Sequence, residues 1–231
     1  MVVSCIWLFL ILPYVWGNTE KTIFLGPPPV NTKSAYPTLN HLPLISLSPD
    51  QFTVRTYLKT EFPNNELEDG TASWLLLHNL SEGQRYEVRV CWAATQPTVF
   101  KLEAYELETV SQTPDLISEL SAYASTLHLD VNNRVTTSAR TLELGVTDSI
   151  LLLRVLAAAD FYTTNHTMMT DAPSVFVDII LDPFMLNLFP RSLSSSAACI
   201  AVVTIVSWLV GKWASSWICQ IVTEPTKQKY Q

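Results

Sequence analysis

Sulfur, glycine and positive charge are all scarce in the part of this chain that lies between its two apolar ends. The four cysteines are Cys5, Cys91, Cys199 and Cys219, so Cys91 is the sole thiol of residues 18–193. One cysteine cannot close a disulfide within that segment, and its fold must rest on apolar burial even in an oxidising compartment. Between Val90 and Trp92, Cys91 has the setting of a small buried residue, with a bridge to another chain as the alternative. Six glycines supply no glycine-rich phosphate cradle and no nucleophile elbow, and no Asp-x-Asp is present to suggest a nucleotide-sugar metal site. The four histidines, His41, His78, His128 and His166, lack the close spacing to one another or to a cysteine that metal ligation needs. Neither catalytic residues nor a metal nor a cofactor is therefore expected of this chain alone. Residues 18–193 carry 11 basic and 20 acidic side chains, a net charge of −9, which suits solubility and disfavours nucleic acid as a partner.

Long apolar runs are confined to the ends. Residues 5–12 are uniformly apolar and are followed by Pro13, with Val15 and Gly17 placed as the residues before a cut at Asn18, the form of a secretory leader. A basic n-region is missing, which keeps an uncleaved anchor as the alternative, but the run is too short to span a hydrocarbon core of about 30 Å. Residues 194–211 carry no charge; at about 1.5 Å per residue they reach roughly 27 Å, and continuation through Trp217 makes a membrane-crossing helix. Lys212 can snorkel to headgroups, with Trp208, Trp213 and Trp217 near the same interface. Arg191 flanks the other side but is outnumbered by Lys212, Lys227 and Lys229, so residues 18–193 are expected in the lumen. The polar residues 224–231 that follow argue against a replaceable lipid-anchor signal. The expected organisation is a leader over 1–17, a lumenal domain over 18–193, a transmembrane helix over 194–217 and a cytosolic tail over 218–231.

The lumenal segment is long enough for one sizeable core and reads as mainly β. Six prolines from Pro27 to Pro49 make its first third irregular, with short edge strands between them. Residues 51–59 alternate, with Phe52, Val54, Thr56 and Leu58 on one face and Thr53, Arg55 and Tyr57 on the other, and 74–77, 99–107, 149–157 and 174–181 are further strand candidates. In the last of these Val175, Val177, Ile179 and Leu181 share a face. From Leu80 to Val90 the pattern turns Tyr86, Val88 and Val90 inward and Glu87 and Arg89 to solvent. The leucine six positions before a strand-opening tyrosine resembles the tyrosine corner of fibronectin type III and immunoglobulin-like sandwiches, which implies a β-sandwich and no particular function. Leu116, Leu120, Tyr123 and Leu127 recur near helical spacing behind Pro114 and Asp115, predicting a short helix packed on or beside the sheet.

Two acceptor motifs for N-linked glycans occur, Asn79 with Ser81 and Asn165 with Thr167, the first in a hairpin or an interstrand loop and the second in a polar run. Lys227 and Lys229, five and three positions from the carboxyl end, have the form of a dilysine retrieval signal to the endoplasmic reticulum. Between the last expected strand and the helix lie Asp182, Pro183, Phe184, Met185, Leu186, Asn187, Leu188, Phe189 and Pro190. The two prolines make this stretch poorly suited to continue a strand or to begin the helix early. Its apolar side chains must therefore pack near the membrane surface, against this domain as a linker or against a partner. Asp182, Pro183, Phe184, Asn187, Phe189 and Pro190 are the candidate contacts. Within the helix Ser207, Gly211 and Ser215 repeat at every fourth position and allow close approach of another helix, unless Gly211 with Lys212 marks the membrane boundary.

Taken with the leader, the Phe24 to Pro29 region, the tyrosine-opened strand and the single carboxyl-terminal helix, this junction resembles the fungal coactivator family of glycosylphosphatidylinositol mannosyltransferase II. The resemblance implies a noncatalytic, single-pass type I subunit of the endoplasmic reticulum membrane. Its partner would be the multispanning mannosyltransferase that adds the second mannose to the anchor precursor from dolichyl-phosphate mannose. A lumenal cargo receptor or folding factor of the early secretory pathway is the alternative that the sequence leaves open.

Overall fold

A computed structural model describes residues 17–31, 42–64, 67–130 and 147–227. The expected leader lies outside these apart from Gly17, as do His41 and Lys229. The protein is mainly β, with two sheets and a long carboxyl-terminal apolar helix.

The first sheet runs in the order β1 (Gly17–Leu25), β6 (Arg85–Ala93), β10 (Val175–Met185), with β4 (Thr53–Leu58) on the other side of β10 and the short β11 (Phe189–Pro190) on its end. The second runs β3 (Ile45–Leu47), β5 (Thr71–Leu77), β9 (Leu151–Ala159), β7 (Thr98–Glu106), antiparallel except for β3 against β5. A small pair, β2 (Val30–Asn31) and β8 (Thr147–Asp148), stands apart. Period-two alternation turns one face of each sheet inward. Val88, Val90, Val177, Ile179 and Leu181 from the first sheet meet Leu75, Leu77, Leu153, Val155 and Ala157 from the second, all ten of them fully buried. That is a sandwich core, and burial of this kind contributes about 25 cal/mol per Å² of apolar surface.

The second sheet is buried on both faces along β5 and β9, which explains why β9 is apolar at every position but Arg154. Its outer face presents Trp74, Leu76 and Leu152 to α1 (Leu107–Gln112) and α2 (Pro114–Asp130), which return Leu107, Val110 and Leu120. Leu116, Tyr123 and Leu127 pack at the margin of this cluster, so the expected helix is present and covers the sheet. A polar tie secures it: Arg154 of β9 donates from Nε to Glu119 Oε1 of α2 at 2.8 Å and from Nη1 to Glu103 at 3.0 Å, while Trp74 Nε1 also donates to Glu119 at 3.1 Å.

The tyrosine corner forms as the pattern of Leu80 and Tyr86 implied. Both side chains are buried, and the Ser81 N–H donates to Tyr86 Oη at 2.9 Å. Gly26 joins the same corner, its N–H donating to the Gln84 carbonyl at 2.8 Å and its carbonyl accepting from the Gly83 N–H at 2.9 Å.

Two local expectations need correction. The chain before the prolines is a nine-residue strand, β1, paired with β6 along its whole length, because the extended Gly17–Leu25 segment completes that edge. Glu87 does not face solvent: it is 3% exposed, neutralised by Lys21 at 3.0 Å and Arg89 at 3.7 Å. The apolar helix α4 spans Ser194–Lys227 among the described residues.

A candidate membrane-proximal binding face

β10 continues four residues beyond Leu181 and folds back on itself as a tight hairpin with β11, pairing Phe184 with Pro190 and Met185 with Phe189. The Leu188 N–H closes the turn on the Met185 carbonyl at 3.0 Å. Leu186 and Asn187 both have positive φ, 52° and 58°, within the three-residue connection 186–188 that joins the paired Met185 and Phe189. Asn tolerates that region, whereas a bulky leucine there is strained.

What holds the strained turn is the neighbouring β5–β6 connection. Asn187 Oδ1 accepts the Arg85 N–H at 2.8 Å, and Asn187 Nδ2 donates to the Gly83 carbonyl at 3.0 Å. Gln84 Nε2 donates to the Phe184 carbonyl, and the Arg85 guanidinium lies 5.7 Å from the Phe184 ring centroid. Phe184 itself is buried in the domain, Phe189 and Pro190 are half-buried, and Leu186 and Leu188 project outward at 86% and 72% exposure.

Asp182 fixes the next step of the chain. Its carboxylate accepts the Ser192 N–H, 3.3 and 3.2 Å from its two oxygens, and its Oδ2 lies 3.6 Å from Arg89 Nη2. Ser192 belongs to the single 3-10 turn Arg191–Leu193 that leads directly into α4. A buried carboxylate thus ties the outer face of the first sheet to the start of the apolar helix, and charge-assisted bonds of this kind are about twice as strong as neutral ones.

The structure therefore divides the candidate residues. Asp182, Pro183, Phe184, Asn187, Phe189 and Pro190 come together as one hairpin, but Asp182 and Phe184 are turned into the protein and Asn187 is spent on the β5–β6 turn. The partners of that hairpin gave no signal in the sequence: Gln84 and Arg89 lie about a hundred residues away, and Ser192, ten residues from Asp182, is held through its backbone N–H, which no side-chain pattern reports. A turn-forming asparagine between two apolar pairs is the one clue that a hairpin was there.

Ser207, Gly211 and Ser215 lie on an exposed run of α4, where a Cβ on Gly211 would meet no other atom within 4 Å. Within residues 191–221 the most apolar eighteen-residue window has a mean hydropathy of 2.0 and is not buried within the protein, and by length and composition this helix can cross a membrane. Lys212 Nζ stands 4.5 Å from the Trp208 ring centroid. The described part of α4 extends to Lys227, while Lys229 lies outside the described residues.

Both glycan acceptors are exposed. Asn79 has a φ of 55° in the connection that carries the chain from one sheet to the other, with its N–H on Asp148 Oδ1 at 2.9 Å. Asn165 caps α3 (His166–Thr170), its Oδ1 accepting the Thr167 N–H at 3.1 Å. Among the described residues no group of three or more His, Cys, Asp or Glu is placed to hold a metal ion, and Cys91 is a half-buried free thiol. No family model, curated protein or solved structure matches this chain.

Proposed function

We propose that this chain is a noncatalytic accessory subunit of the glycosylphosphatidylinositol mannosyltransferase II complex in the endoplasmic reticulum membrane. It stabilises or positions the multispanning enzyme that adds the second mannose to the anchor precursor from dolichyl-phosphate mannose. The observation that carries the reading is the pairing of a fully exposed apolar helix with a β domain tied rigidly to its start through Asp182 and Ser192. Such a construction transmits the position of a lumenal domain to a membrane partner. In this reading the Ser207, Gly211 and Ser215 row is the helix contact, the active residues belong to the partner, and Lys227 and Lys229 return the complex to the endoplasmic reticulum.

The test is gentle detergent purification of the full chain with quantitation of what accompanies it, together with depletion of the chain in cells. The expected result is one multispanning protein at fixed stoichiometry, and accumulation of anchor precursor bearing a single mannose. Many soluble cargoes in substoichiometric amounts would instead identify a receptor or folding factor. Turnover by the purified single chain would identify an enzyme.

A further inference from the structure

From the hairpin tip we infer that Leu186 and Leu188 insert into the lumenal leaflet of the same bilayer that α4 crosses, so that the domain stands on the membrane at a second point. The inference rests on the crossing of α4 proposed above. Two leucines at 86% and 72% exposure project from a turn that Asn187 clamps through two hydrogen bonds, so they are displayed on a rigid support. Leu186 is held at a φ of 52°, where glycine or asparagine would be easier, so local backbone preference does not account for leucine. Leu188 precedes the start of α4 by six residues, and the Asp182 bond to Ser192 keeps that junction short and ordered. Leu25, opposite Arg85 in the strand register, adds a 57% exposed side chain at the same end. From Met185 to Leu193 the chain carries no acidic residue, and Arg191 follows the hairpin directly, in a domain otherwise rich in carboxylates. Apolar side chains with a flanking cation are the composition that settles about 5–10 Å into the headgroup and acyl boundary.

The experiment uses the full chain in phosphatidylcholine nanodiscs, with Cys5, Cys91, Cys199 and Cys219 replaced by serine. A single environment-sensitive fluorophore is placed by Leu188→Cys, Val206→Cys or Tyr162→Cys, and lipids carry a nitroxide near the headgroup or near the bilayer centre. The expected result is quenching of the Leu188→Cys label by about twofold or more from the shallow nitroxide, consistent with interfacial depth. The Val206→Cys label should respond to the deep nitroxide and the Tyr162→Cys label to neither. An unquenched Leu188→Cys label beside a quenched Val206→Cys label would overturn the inference while leaving the crossing intact, and an unquenched Val206→Cys label would overturn the crossing. Protection of Leu188→Cys only in the presence of a copurified protein would assign the tip to that protein and also overturn the inference. Because Leu186→Asn with Leu188→Ser suits the turn, that double variant keeps the fold, and it should lower shallow quenching of a Leu25→Cys label by about half; unchanged quenching counts against the tip as the second foot.

Discussion

Gly26 lies so close to Ser81 that a Cβ added to it would sit 2.2 Å from the Ser81 carbonyl oxygen. Backbone cannot yield as a flexible side chain would, so the tyrosine corner requires glycine at this point of the neighbouring chain. Gly26→Ala should cost about 2 kcal/mol, the range of an overpacked site, and Tyr86→Phe about 1 kcal/mol for its lost bond to the Ser81 N–H. Urea unfolding of the full chain in micelles measures both. Equal midpoints for wild type and Gly26→Ala would refute the close approach.

The bond from Arg154 to Glu119 is what fastens α2 to the second sheet, and it holds the Arg154 guanidinium above its usual range. Removing Arg154 leaves Glu119 half-buried with the Trp74 N–H but without its countercharge, so Arg154→Met should destabilise by about 2 kcal/mol, less than for a fully buried pair. A double-mutant cycle with Glu119→Gln should return a coupling energy of about 1 kcal/mol. Strict additivity would mean that the two side chains do not act together.

Burial lowers the pKa of His78 from its ordinary 6.5, against the opposing pull of Asp148. The native state thus favours the neutral ring and the unfolded chain takes up the proton more readily. Stability from this site is complete above about pH 6.5 and is lost as the pH falls through the native value. Wild type should melt lower at about pH 5 than at about pH 7.5, and His78→Gln should shrink that difference. A variant with the same pH dependence as wild type would place the effect elsewhere.

The hairpin turn separates two substitutions by sign. Leu186→Gly relieves a leucine held at positive φ and should stabilise by about 0.5–1 kcal/mol, whereas Asn187→Ala loses two side-chain bonds and should cost about 2 kcal/mol. Thermal melts of the two variants in parallel decide the matter; melting shifts of the same sign would contradict the turn geometry.

Asp182→Ala removes the acceptor for the Ser192 N–H, and Asp182→Asn retains one. Amide exchange at Ser192 should therefore accelerate by about tenfold in Asp182→Ala, corresponding to a bond of roughly 1–2 kcal/mol, and much less in Asp182→Asn. Identical protection in both variants would show that the junction is held by other contacts.

Much of the architecture was legible from one dimension because burial imposes a period. Val175, Val177, Ile179 and Leu181 alternate because one face of β10 meets the core, and Leu116, Leu120 and Tyr123 recur at helical spacing because one side of α2 meets the sheet. The tyrosine corner was legible for the same reason, its leucine and tyrosine lying a few residues apart. The exposed apolar length of α4 follows from composition alone. Tertiary packing decided the rest. Glu87 reads as a solvent-facing residue until Lys21 arrives from β1, far off in sequence, and joins its strand neighbour Arg89 in neutralising it. The apolar residues between Pro183 and Pro190 are alike in composition, yet Phe184 is buried and Leu188 exposed. Long-range bonds from Asn187 to Gly83 and Arg85 set the direction in which that hairpin points, and no local pattern encodes a partner about a hundred residues away.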